Sequence, residues 1–235
     1  MNSQVGVLPR TRAEPRIIFK VRVRFHKTAA LRFIGHQDLV RLFERACRRS
    51  QIPVASTLGF HPKLRLVFAL SLPLGVVGRN EIVEIDLTSP PDCLTLHKQL
   101  QEQIGPGMDI LSVEPSPGKH APKVISLFYK FPFSRELLAL IALRVEAIQS
   151  TPHSPCPVFR EGKKYWDIRP FIRFLQIDEG ALVAGLWFTP EGTAKPMEIF
   201  SLLGLEGPLP PETVIERLGL ELEEEHNSLK GMVLE

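Results

Sequence analysis

The chain has 235 residues, 44% of them hydrophobic and 23% charged, a composition ordinary for a soluble globular protein of one large or two small domains. Its longest uncharged run, residues 66–78, contains Ser71, Pro73 and Gly75 and falls short of the roughly 20 apolar residues that a bilayer requires, so no membrane span is expected. Charge is more informative by halves: residues 1–80 hold 15 Lys and Arg against 3 Asp and Glu, a net of +12, whereas residues 81–235 hold 14 against 23, a net of −9. A cationic half joined to an acidic one suggests a polyanion site on one surface, most economically for nucleic acid, with the solvated faces of a stable domain as the competing reading.

In chain order, residues 1–16 lack an apolar segment followed by a small-residue cleavage site. They read as a disordered basic arm rather than a signal peptide, and the protein as cytoplasmic. From residue 17 to 25, Phe19, Val21, Val23 and Phe25 alternate with Lys20, Arg22 and Arg24, the period of a strand with one buried face and one unusually basic outer face. A turn over 27–35 leads to a helix expected at 36–50, with Asp38 in its first turn and arginines toward its last, as the macrodipole prefers. On a helical wheel Leu39, Leu42, Phe43, Ala46 and Cys47 share one side, while Arg41, Arg45, Arg48 and Arg49 fall within about 100° of each other on the opposite one. Only Glu44 is placed to neutralise one of these arginines, Arg48 at i+4.

Pro53 stops the helix, and extended segments at 54–58 and 64–72 flank the kinked loop Gly59-Phe60-His61-Pro62-Lys63. A strand at 81–87, a helix at 93–104 and a strand at 108–114 follow. The order β-α-β-β-α-β is that of the ferredoxin-like split βαβ unit, whose open sheet face is free for a partner. A linker is expected at 115–122, from PSPGKHAP.

The second half partly repeats the scheme: a strand at 123–133, a helix at 135–149, a loop, a strand through 164–169 ended or bent by Pro170, and a turn at 178–180 into a strand at 181–188. A helix opened by Pro196, a last helix at 211–218 and an acidic tail complete it. The fold expected is therefore α+β, with two ferredoxin-like domains, the second less regular: a basic one at 17–114 and another at 123–220, with the tail at 221–235. The cysteines, Cys47, Cys93 and Cys156, form no CxxC pair, which argues against a zinc ribbon or an iron–sulfur site held by this chain; no metal ligands are assigned. Cys47 reads as a small core residue, Cys93 and Cys156 as incidental thiols.

RFIGHQDLVRLFERACRR, then GFHPKLRLVFALSLPLGV, then EIVEIDL together resemble the radical SAM-linked protein family, a bacterial domain of unknown function found beside or fused to a radical SAM enzyme. WDIRPFI and GTAKPMEIFSLLG resemble that family's downstream motifs, so the resemblance covers roughly residues 17–205. One departure is Leu64, where a second proline is expected. The resemblance implies no activity of its own; it implies an association with an enzyme that binds S-adenosylmethionine and a 4Fe–4S cluster. This chain has no CxxxCxxC and would hold neither cofactor itself.

Among candidate site residues, His36 and His61 could act as acid or base on a phosphodiester, contact phosphate or base, or serve only in capping and turn bonding. Asp167 and Arg169, two apart on an extended segment, could orient a substrate group, although an internal ion pair is the plainer reading. The function expected is that of a non-catalytic RNA-binding accessory protein partnering a radical SAM enzyme. Arg41, Arg45, Arg48, Arg49, Lys63 and Arg65 would hold phosphates and Phe60 and Trp166 would stack, with Asp38, Gly59 and Pro62 as further residues of the same motifs. The alternative is an RNA-cleaving or RNA-modifying enzyme using His36 or His61.

Overall fold

The computed structural model describes residues 18–58, 60–118, 120–160, 163–205 and 213–226; the basic arm, Gly59 and the end of the acidic tail lie outside them. The first strand, β1 (Phe19–Lys27), keeps the alternation read from its sequence: Val21, Val23 and Phe25 are fully buried, and Lys20, Arg22 and Arg24 point the other way. A 3-10 turn at Ala29–Phe33 leads into α1 (His36–Arg49), which carries Asp38 in its first turn and Arg48 and Arg49 in its last. Residues 54–58 and 64–65 contribute only isolated bridges, and the extended stretch shortens to β2 (Leu66–Phe68).

Next come β3 (Val77–Leu87), α2 (Cys93–Ile104) and β4 (Met108–Pro115). The Asp92 carboxylate caps α2 by accepting the Thr95 backbone N–H, and Gly105, at φ 80, ends it.

Beyond residue 123 the chain forms β5 (Val124–Pro132), α3 (Arg135–Ser150), the small hairpin β6 (Pro157–Arg160) and β7 (Lys163–Asp167), then β8 (Ile172–Asp178) and β9 (Ala181–Trp187). Pro170 bends the chain through a 3-10 turn into β8, a strand that the sequence pattern left unassigned. Glu179 and Gly180, at φ 44 and 75, make the two-residue turn between β8 and β9 that matches strand twist. After α4 (Pro196–Leu202) comes β10 (Glu216–Leu222).

That last element corrects the expected helix at 211–218, whose first two residues lie outside the described ones. Residues 216–222 are a strand because β10 fits between β3 and β5, parallel to the first and antiparallel to the second, and register shifts interrupt the alternation that would have revealed it.

The class is α+β, built on one mixed 8-stranded sheet in the order β4-β1-β3-β10-β5-β9-β8, with β2 also on β3. Each half repeats one arrangement: β4-β1-β3-β2 in the first and β10-β5-β9-β8 in the second, every neighbour within a half antiparallel. Two apolar cores follow. In one, Leu39, Phe43, Ala46 and Cys47 of α1 and Leu96, Leu100 and Ile104 of α2 pack on Val21, Val23, Phe25, Val83 and Ile85. In the other, Leu138, Ile141 and Val145 of α3 and Ile199 and Phe200 of α4 pack on Leu127, Phe131, Leu182 and Leu186.

At the seam the guanidinium of Arg217, wholly buried, donates to both carboxylate oxygens of Glu81, with Nε at 2.8 Å, and to the carbonyl of Ser71. Burial works against its charge, but the Glu81 carboxylate leaves the Arg217 pKa raised.

Candidate nucleic-acid interface

The outward side of α1 is cationic because its inward side is fully used. Leu39, Phe43, Ala46 and Cys47 are buried, and the Phe43 ring meets Phe25 at 5.0 Å and Phe68 at 5.5 Å, both edge-on. Burial pushes the Cys47 thiol up to about 12, consistent with a core side chain. Arg41, Arg45, Arg48 and Arg49 are all exposed, as the wheel requires. Asp38 forms an ion pair with Arg41 at 3.1 Å, so Glu44 is not the sole acid placed to neutralise the stripe.

Beyond the end of α1 the chain makes a short arm. Its base is fixed to the sheet: Ala55 N–H donates to Asp86 O, Asp86 N–H to Arg65 O and Arg65 N–H to Ala55 O, at 2.7–3.1 Å. Higher up, Thr57 N–H donates to Lys63 O at 2.8 Å, and Lys63 N–H returns a bond to the Thr57 hydroxyl at 3.0 Å. At the tip Leu58 is 98% exposed and Phe60 103%, beside exposed His61, Pro62 and Lys63. Thr88 N–H donates to Pro53 O, which puts the arm at the end of the sheet where α1 finishes with Arg48 and Arg49.

Other expected residues lie elsewhere. Arg65 pairs with Asp86 at 2.9 Å, across the sheet from α1. His36 opens α1 at its other end, half-buried, its ring edge-on to Phe68 at 5.3 Å; its Nδ1 is buried and makes no hydrogen bond among the described residues. His61 is thus on the arm at one end of the helix and His36 at the other.

The outer face of β1 is not the free cationic surface its alternation suggests. Lys20 pairs with Glu84 at 3.3 Å, Arg22 with Glu84 at 2.7 Å, and Arg22 and Arg24 also with Glu224 and Glu225, which follow β10 in a single helical turn. Arg22 keeps only 6% exposure. Burial opposes its charge, yet hydrogen bonds to Glu84 and Glu224 leave its pKa raised. The start of the acidic tail therefore belongs to the fold, and the open sheet face expected for a partner is occupied by this chain's own acids. The alternating acids of EIVEIDL were the signal for Glu84 and Asp86; nothing local marked Glu224 and Glu225.

In the second half, Trp166, Asp167, Pro170, Phe171, Thr189 and Glu191 line a cleft of about 380 Å³. The Trp166 ring lies parallel to Phe171, and the Arg160 guanidinium sits 5.0 Å from it while paired through two nitrogens with Glu198. The expected Asp167–Arg169 ion pair is corrected. Asp167 Oδ1 accepts the backbone N–H groups of Cys156 and Arg169 at 2.8 and 2.9 Å, while Arg169 Nε donates to Ser154 O. Asp167 thus fixes a turn, because its segment passes from β7 directly into a 3-10 turn. Cys156, only 3% exposed, is a core residue rather than an incidental thiol. Among the described residues no group of His, Cys, Asp and Glu is placed to hold a metal ion, and no helix is long and apolar enough to cross a membrane.

Residues 20–196, most of the chain, match the model of a family described as "Uncharacterized protein conserved in bacteria (DUF2344)", and the chain belongs to that family. No curated protein matches it.

Proposed function

We propose that this chain is a cytoplasmic, non-catalytic RNA-binding accessory protein that presents RNA, of the transfer or ribosomal kind, to a radical SAM enzyme for modification. The observation that carries the RNA reading is the outer side of α1, where Arg45, Arg48 and Arg49 stand in solvent beside the exposed arm. Among the described residues neither packing nor an ion pair calls for cations there, and a row of guanidinium groups suits phosphate. The partner is inferred from the resemblance of the sequence motifs alone; S-adenosylmethionine and the 4Fe–4S cluster would belong to that enzyme. The repeated strand order, with two helices packed on each half, supports reading 17–114 and 123–220 as two ferredoxin-like domains joined through 115–122.

The enzymatic alternative has one observation in its favour, the buried Nδ1 of His36 without a hydrogen bond among the described residues. Against it, the ring packs on Phe68, and His61 is at the far end of α1. The test is RNA affinity across a salt series for the wild type and Arg45→Ala/Arg48→Ala. If the stripe holds phosphates, log K falls linearly with log salt, and the double variant flattens that slope by about 1.4 units for a single strand. Equal slopes and affinities would overturn the proposal. Turnover of bound RNA that disappears in His36→Ala would favour the enzyme.

A further inference from the structure

Building on the RNA reading, we infer that Phe60, on the arm closed by Thr57 and Lys63, makes this surface selective for unpaired nucleotides by stacking on a base while the arginines of α1 hold the backbone.

Leu58 and Phe60 are 98% and 103% exposed, so no described part of the chain covers either one. Two bonds between Thr57 and Lys63 close the arm beneath them, above a base itself bonded to β3. Pro62 removes further freedom by fixing its own φ. An aromatic ring held away from the core on a hydrogen-bonded arm is pre-organised for contact and loses little freedom when it makes one.

Charge then selects the partner. Arg41, Arg45 and Arg48 follow one another by about 6 and 4.5 Å along the axis of α1, and the stripe from Arg41 to Arg49 spans about 12 Å, ending at the same end of the sheet as the arm. A polyanionic strand lying along that stripe runs toward the end of the sheet that carries the arm. The stripe alone reads phosphates and carries no preference between one strand and two. The tip adds the preference, because a duplex keeps its base faces stacked inside, whereas an unpaired base offers one to an aromatic ring.

The experiment compares a single-stranded RNA of about 12 nucleotides with the duplex it forms with its complement, over a salt series, using the full chain. The wild type should prefer the single strand. Phe60→Ala should lower single-strand affinity about tenfold or more and leave duplex affinity and the salt slope unchanged, while Phe60→Trp should retain affinity and show fluorescence quenching on binding. Full exposure of Phe60 means that neither variant threatens folding. Equal affinity for the two RNAs, unaltered by Phe60→Ala, would overturn the selectivity and leave RNA binding standing. Absence of salt-dependent RNA binding would overturn both. Binding of phosphatidylserine vesicles that requires Phe60, with no preference between the RNAs, would overturn the inference in favour of a lipid surface.

Discussion

Two sets of cations only some twenty residues apart in sequence meet opposite fates. Lys20, Arg22 and Arg24 on β1 are neutralised by Glu84, Glu224 and Glu225, whereas Arg45, Arg48 and Arg49 on α1 remain exposed. Both sets lie opposite an apolar face, so local pattern cannot separate them. What separates them is the third layer. The helix-free side of β1 is where the chain returns after β10 and lays an acidic turn, while the outer side of α1 is the rim of the fold. Part of the excess of +12 in the first 80 residues is therefore internal, matched by acids from the other half, and a smaller part is left for a partner.

The sharpest way to break this comparison is at the seam, where a cation is both internal and wholly buried. Arg217→Met would leave Glu81 desolvated without its partner and should cost about 3–5 kcal/mol in urea unfolding. Adding Glu81→Leu should recover most of that loss, since removing both charges also removes the unpaired one. A single variant with a loss below about 1 kcal/mol would show that water reaches the seam and that β10 is held by its backbone bonds alone.

The inner side of α1 comes next. Phe43 is wholly buried between Phe25 and Phe68, so Phe43→Ala should cost roughly 3–5 kcal/mol, toward the lower figure if Phe68 of the short β2 collapses into the gap. The prediction is checked by the same unfolding curve, with near-ultraviolet circular dichroism to report repacking.

How much of this was legible depends on whether the deciding contact was local. The ends of α1 and α2 were readable because a breaker and a clear apolar stripe mark each: Pro53 follows one, and Asp92 and Gly105 bracket the other. The strand β10 was not, since its inward row includes Arg217, and a strand with a charge pointing inward reads as amphipathic helix until Glu81 is known to face it. For the candidate site, the side of α1 that carries the arginines and the exposure of Phe60 and Lys63 followed from sequence. That Arg65 pairs with Asp86 and that Asp167 bonds backbone N–H groups did not, because each depends on a partner brought in by tertiary structure.

The acidic turn should have a smaller effect. Glu224 and Glu225 are about one third exposed, and Arg22 keeps Glu84 when they are gone, so Glu224→Gln/Glu225→Gln should cost about 0.5–1.5 kcal/mol, less in high salt. Acid should act in the same direction through Glu221 on β10. Burial raises the pKa of its carboxyl, but hydrogen bonds from Ser126, His226 and Arg173 outweigh it and hold the pKa below the usual value. The stability that Glu221 supplies is thus complete above its unfolded pKa of about 4.3 and is lost as pH falls through the lower folded value. In Glu221→Gln the stability profile below about pH 4 should flatten relative to the wild type, while an unchanged acid limb would place the titration on other carboxylates.

The smallest effect expected is on the outer side of α1, and there its smallness is the informative result. If Arg45, Arg48 and Arg49 stand free of the fold, replacing any of them by Gln should change unfolding free energy by no more than about 0.5 kcal/mol, because helix propensity is nearly preserved and none of the three is in an ion pair among the described residues. Arg22→Gln, on the other set, should cost about 1.5–3 kcal/mol or more, because it removes hydrogen bonds to charged groups and leaves buried Glu84 with less compensation. The contrast, rather than either number, is the test. Equal losses in the two sets would mean that the arginines of α1 also hold the fold, and the reason for assigning them to a partner would be gone.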